Sequence, residues 1–113
     1  MIDASVIAIL KESLGDDDGT IIGQLIELYA SDSPQQLADA TAALEKSDSV
    51  SLARAAHSLK STSASMGAMT VARLASELEE CAKRNDPALS ASLLAQLKSE
   101  LSSAITELTA LKF

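Results

Sequence analysis

With 113 residues, a formal net charge of −7, and 47% apolar but only 2% aromatic residues, the chain has the length of one domain whose core must be built from Leu, Ile, Val and Ala. That acidity argues against a phosphate-backbone binder, which takes a basic patch, and almost no aromatics are present to stack on bases, so nucleic acid is not an expected partner. One Cys permits no internal disulfide, the N-terminus lacks a basic region followed by an apolar run, and no apolar stretch approaches membrane-spanning length; the expectation is a single cytoplasmic domain over 1–113 without membrane contact.

Good helix formers dominate, with four Gly and two Pro, and that mix favours helices over a sheet. Helical periodicity appears in five segments. In the first, Asp3 is placed to cap and Val6, Leu10 and Leu14 line one side, until the run GDDDG from Gly15 to Gly19 breaks it. The aspartates of that run lack the alternating ligand spacing of a calcium loop and read as a solvated turn. The second segment begins near Thr20 and carries the stripe Ile22, Ile26, Tyr29, Ser33, Leu37, Ala40, Leu44, with gaps of four and three throughout. Pro34 falls inside it. Because the stripe keeps its phase across the Pro, one long kinked helix over about 20–46 is expected, two helices broken at Asp32–Pro34 being the alternative.

The turn KSDS follows, with Asp48 or Ser49 as N-cap of a third helix whose stripe is Leu52, Ala56, Leu59, Ser63 and Met66, and which Gly67 is placed to stop. The fourth runs from about Thr70 to Arg84, with Val71, Leu74, Ala75, Leu78, Cys81 and Ala82 at helical spacing. Asp86 caps and Pro87 opens the last helix, which reads Leu93, Leu97, Leu101, Ala104, Leu108, Leu111. Four amphipathic helices with short links predict an all-α, antiparallel up-down-up-down four-helix bundle, with the short first helix covering one end.

The third helix carries the chain's single histidine, His57. On a helical wheel it lies roughly 140° from Leu52, well off the apolar stripe, so it is expected to face solvent. Its neighbours one turn away are Ala53, Arg54, Lys60, Ser61 and Ala64. Three of them are small, which leaves the imidazole open to a large partner, and Lys60 adds positive charge beside it.

A neutral imidazole nitrogen is a nucleophile near neutral pH, able to attack phosphorus and hold a phosphoryl group covalently. An ammonium one turn away stabilises the phosphoryl oxygens. The chain has no second His, no glycine-rich phosphate loop and no carboxylate near His57 in sequence to act as its base. It is therefore suited to carry a phosphoryl group rather than to make one from ATP, and no enzymatic activity, metal or cofactor is expected of it. A lone exposed His on a helix is also commonly nothing more than a solvated polar residue, and the residues alone leave that reading open.

The stretch AAHSLKSTSASMGAMTVARLASELEECAKRND resembles the core of a histidine-containing phosphotransfer (HPt) domain. The family pattern of His, any residue, Leu, Lys, usually Gly, then small residues, a Gly, and a helix with a Leu–Glu pair is met here by His57, Leu59, Lys60, Ser61, Gly67, Leu74, Leu78 and Glu79. The lead-in segments LIELYASDSPQQLADATAALEKSD and SDSVSLARAA are also similar, so the likeness covers roughly residues 20–85. The resemblance implies that His57 takes a phosphoryl group from the aspartate of a receiver domain, in a response regulator or hybrid sensor kinase, and passes it to another. It implies that Mg²⁺ sits on the receiver, that Lys60 lies near the phosphoryl group, that Gly67 is structural, and that the chain is monomeric. One position departs from the pattern: Ser61 stands where the family usually has Gly. Ser is still small and its hydroxyl can hydrogen-bond a phosphoryl oxygen, so the change bears on transfer rate and partner preference more than on activity.

Other candidates are weaker. Cys81 lies on an apolar stripe and reads as a buried small hydrophobe. One His and one Cys cannot build a zinc site without borrowed ligands. Glu79 and Glu80 read as surface charge, and Ile7 and Leu10 as core, although a docking patch on the first helix is the alternative for those two. The rival to a relay is a helical module that binds a receiver without chemistry.

Overall fold

The computed structural model describes residues 1–111. It consists of α1 (Ala4–Ser13), α2 (Thr20–Glu45), α3 (Ser49–Ser65), α4 (Met69–Lys83) and α5 (Pro87–Thr109), with no strand among the described residues. Helices α2, α3, α4 and α5 form a closed antiparallel ring in which each packs on its two neighbours, α3 against α4 most extensively, while α1 leans on α2. This is the up-down-up-down bundle expected, drawn out to 46 × 21 × 19 Å by the length of α2 and α5.

The buried stripes are those of the sequence: Leu52, Ala56, Leu59 and Ser63 on α3, Val71, Leu74, Ala75, Leu78, Cys81 and Ala82 on α4, and Leu93, Leu97, Leu101, Ala104 and Leu108 on α5. Each fully buried Leu or Ile contributes about 1.5–3 kcal/mol by leaving water. α2 runs unbroken through Pro34. Its last turn buries Ala43 and leaves Leu44 half-buried against the core. The buried Ser33 hydroxyl, beside the proline, bonds back to the Tyr29 carbonyl at 2.5 Å.

Two expectations are corrected. α1 buries Ile7 rather than a Val6–Leu10–Leu14 stripe; Leu10 is half-buried against the core, and Leu14, past the last turn, is 43% exposed. The reason is that α1 lies over the bundle end instead of joining the ring. Its lead-in is strapped there by an isolated bridge from Ile2 to Ala68 and by Asp3 donating its N–H to the Gly67 carbonyl at 2.8 Å. Gly67 has φ +74°, and a Cβ on it would meet the Asp3 carbonyl oxygen at 2.7 Å, so only glycine fits both the turn and the strap.

The GDDDG turn is only partly solvated. Asp16 is buried, and its carboxylate accepts from the backbone N–H groups of Ile21 (3.2 Å) and Ile22 (2.8 Å). The N-cap position itself is held by Gly19, which has no side chain to cap with. Asp18 accepts from the Thr20 N–H at 3.0 Å, so Asp18 and Asp16 together satisfy the first three orphan amides of α2.

Candidate functional site

α3 is fixed before it is functional. Asp48 caps it by accepting from the Ser51 N–H at 3.1 Å, and Gly67 ends it. Inside, the Tyr29 and Ser63 hydroxyls share a hydrogen bond of 2.7 Å that ties α3 to α2, while burial of Leu52, Ala56 and Leu59 sets its rotation. That rotation turns His57 outward, with 61% of its side chain exposed. Ala53 and Ala64 flank it half-buried, Ser61 is exposed, and the Lys60 side chain is 36% exposed. A shallow groove between α2 and α3, lined among others by Leu25, Leu28, Gln36, Ser61 and Thr62, runs along this face.

The carboxylate that the sequence lacks near His57 is supplied across the α3–α4 interface. Glu79, read from the sequence as surface charge, keeps only 12% of its side chain exposed. Its Oε2 lies 3.2 Å from His57 Nδ1, its Oε1 lies 3.2 Å from Lys60 Nζ, and Lys83 Nζ stands 3.5 Å from Oε2. Glu80 behaves as expected and is 61% exposed. Burial pushes the Glu79 carboxyl upward, but the hydrogen bonds from Lys60 and His57, with the charges of Lys60 and Lys83, outweigh it and hold the group below the usual carboxylate value. Glu79 is thus an anion at neutral pH, which fixes its role toward the ring: it accepts, and Nδ1 donates. Nε2, with no hydrogen-bond partner among the described residues, is left as the nitrogen with a free lone pair.

A signal for Glu79 was present in the sequence. Ala72, Ala75 and Ala82 stand seven and four residues before it and three after, and all three are buried. A glutamate within a row of buried alanines sits at the edge of a helix contact, where its stem is covered and its head meets the neighbouring helix.

The remaining candidates fall outside this cluster. Cys81 is buried and accepts from Arg84 Nη2 at 3.4 Å. No group of three or more His, Cys, Asp or Glu among the described residues is placed to hold a metal ion.

The model of the Hpt domain family matches residues 24–107, a span that contains His57, Lys60, Gly67 and Glu79. The chain belongs to the Hpt domain family. A comparison with solved structures finds similarity to the crystal structure of histidine-containing phosphotransfer protein B from Pseudomonas aeruginosa, at 31% identity and a TM-score of 0.86, covering 95% of this chain and 90% of that one. A comparison with curated protein sequences found no match. Hpt domains are phosphocarriers of phosphorelays that work with receiver domains, so the helical bundle and the family agree on a histidine phosphotransfer fold. No described helix is long and apolar enough to cross a membrane.

Proposed function

We propose that this Hpt domain carries a phosphoryl group on His57 Nε2 between receiver-domain aspartates. The observation that carries the reading is the Nδ1–Glu79 hydrogen bond on an otherwise exposed ring: it selects the tautomer whose outer nitrogen is nucleophilic. Nε2 attacks the phosphorus of a receiver's aspartyl phosphate, an N–P bond forms, the P–O bond breaks, and the aspartate leaves as a carboxylate. The Nδ1 proton stays in place. Attack makes the ring cationic, and the Glu79 anion opposite Nδ1 stabilises that developing charge. Lys60 stabilises the phosphoryl oxygens, and Lys60→Ala slows transfer. The reverse sequence discharges the group to a second receiver.

Partner and setting follow from the same reading. The receiver supplies Mg²⁺ and its own acidic pocket, docks as a large surface over the small residues Ala53, Ser61 and Ala64, and seats against the groove with Leu25 and Leu28. The domain acts as a monomer in the cytoplasm and has no kinase activity of its own.

The test is transfer of label from several phosphorylated receiver domains. An acid-labile, alkali-stable label that is absent from a folded His57→Gln variant supports the relay. Receiver binding without label, and without dependence on His57, supports the chemistry-free module instead.

A further inference from the structure

One anion at this site faces two ammonium groups and the Nδ1–H of the neutral imidazole. Glu79 meets His57 and Lys60 at 3.2 Å each and Lys83 at 3.5 Å, and Lys83 is also 3.8 Å from Glu80 Oε1. In the unphosphorylated domain Lys83 is redundant. Its side chain is 57% exposed and its charge is shared between two carboxylates, and exposed pairs of that kind contribute little. Lys60 makes the shorter contact and already compensates Glu79.

That changes when a dianionic phosphoryl group arrives on Nε2. Lys60 stands one turn from His57 on the same helix, so it is drawn from Glu79 toward the phosphoryl oxygens. Glu79 would then sit, largely covered, close to a dianion of the same sign, with only the ring proton for a partner. Lys83 is already within reach of Oε2, the nearer of the two Glu79 oxygens that face Nδ1.

Resting on the phosphocarrier reading above, we propose that Lys83 is a positioning residue that takes over from Lys60 as the counterion of Glu79 in the phosphorylated state, and so keeps the Nδ1–H to Glu79 hydrogen bond closed while the phosphoryl group is on the ring. No new bond is made or broken by the exchange; one ammonium replaces another beside a carboxylate. Without Lys83, the repulsion between Glu79 and the phosphoryl group turns the carboxylate away, and the ring loses its support during the interval in which it must present the group to a receiver.

The experiment compares wild type, Lys83→Gln and Lys83→Arg, each before and after treatment with phosphoramidate, a small donor that needs no receiver. The readout is the Nδ1–H signal of the ¹⁵N-labelled imidazole, visible only while that proton is hydrogen-bonded and protected from exchange. Before phosphorylation all three proteins show the signal. Afterwards wild type and Lys83→Arg retain it and Lys83→Gln loses it. The inference is overturned if phosphorylated Lys83→Gln keeps the wild-type signal, or if the signal is already lost in its resting state, which would make Lys83 ordinary structural support. Failure of wild type to take phosphorus on His57 overturns the carrier reading and this inference together, so the two failures are told apart by the wild-type sample.

Discussion

His57 on α3 and Glu79 on α4, 22 positions apart in sequence, meet Nδ1 to Oε2 at 3.2 Å. The contact gives an exposed histidine a defined tautomer and a covered counter-charge. Glu79→Gln keeps the shape and removes the charge. A hydrogen bond to a charged group is worth about 1.5–3 kcal/mol, which converts to roughly a tenfold to hundredfold slower phosphoryl uptake if it acts in the transition state. Stopped-flow transfer from a phosphorylated receiver checks this, with circular dichroism showing an intact fold. An unchanged rate would remove Glu79 from the chemistry.

Most of the bundle was legible because its signals are local. Stripes at fours and threes, Asp caps at Asp3, Asp48 and Asp86, Pro87 at a helix start and Gly67 at a helix end each act within a turn or two of chain. His57 faced solvent as the wheel required, since α3 has one clear apolar face. What escaped depended on distant packing. Glu79 becomes part of the site only when α4 lies against α3, Asp16 becomes a cap only when the turn folds back on α2, and the exposure of Leu14 follows from α1 lying over the end of the ring.

Tyr29 is the only tyrosine, so its ionisation can be followed directly by near-ultraviolet absorbance. Burial raises its phenol above the ordinary value of 10.0, with the Ser63 hydrogen bond acting in the opposite direction. The sign follows from linkage: the unfolded chain loses this proton at a lower pH than the folded one, so the stability gained is complete below pH 10 and declines as pH rises through the folded value. Phenolate absorbance is expected to appear above that pH and together with loss of helix. Ionisation at the ordinary value with the helices intact would contradict the buried Tyr29–Ser63 pair.

Asp16 caps α2 from outside the helix. Asp16→Ala strands the amides of Ile21 and Ile22 and is expected to lower stability by about 1–3 kcal/mol in urea unfolding. Asp16→Asn, which keeps an acceptor, recovers part of the loss. Equal stability of the alanine variant and wild type would show that water satisfies those amides.

Gly67→Ala places a methyl group 2.7 Å from the Asp3 carbonyl oxygen at a backbone angle of +74°. The left-handed conformation alone costs about 1–2 kcal/mol. Faster hydrogen exchange at the Asp3 amide, which now bonds to the Gly67 carbonyl, should accompany the loss. A variant with unaltered stability and exchange would mean the N-terminal strap does not depend on this turn.

The most direct measurement is the identity of the phosphorylated nitrogen. The ¹⁵N-labelled domain, phosphorylated by a receiver, is examined by NMR for phosphorus–nitrogen coupling in the His57 ring. Coupling to Nε2, with Nδ1 still protonated, is the predicted result, because Glu79 occupies the other side of the ring. Phosphorus on Nδ1, or on any residue other than His57, would contradict it.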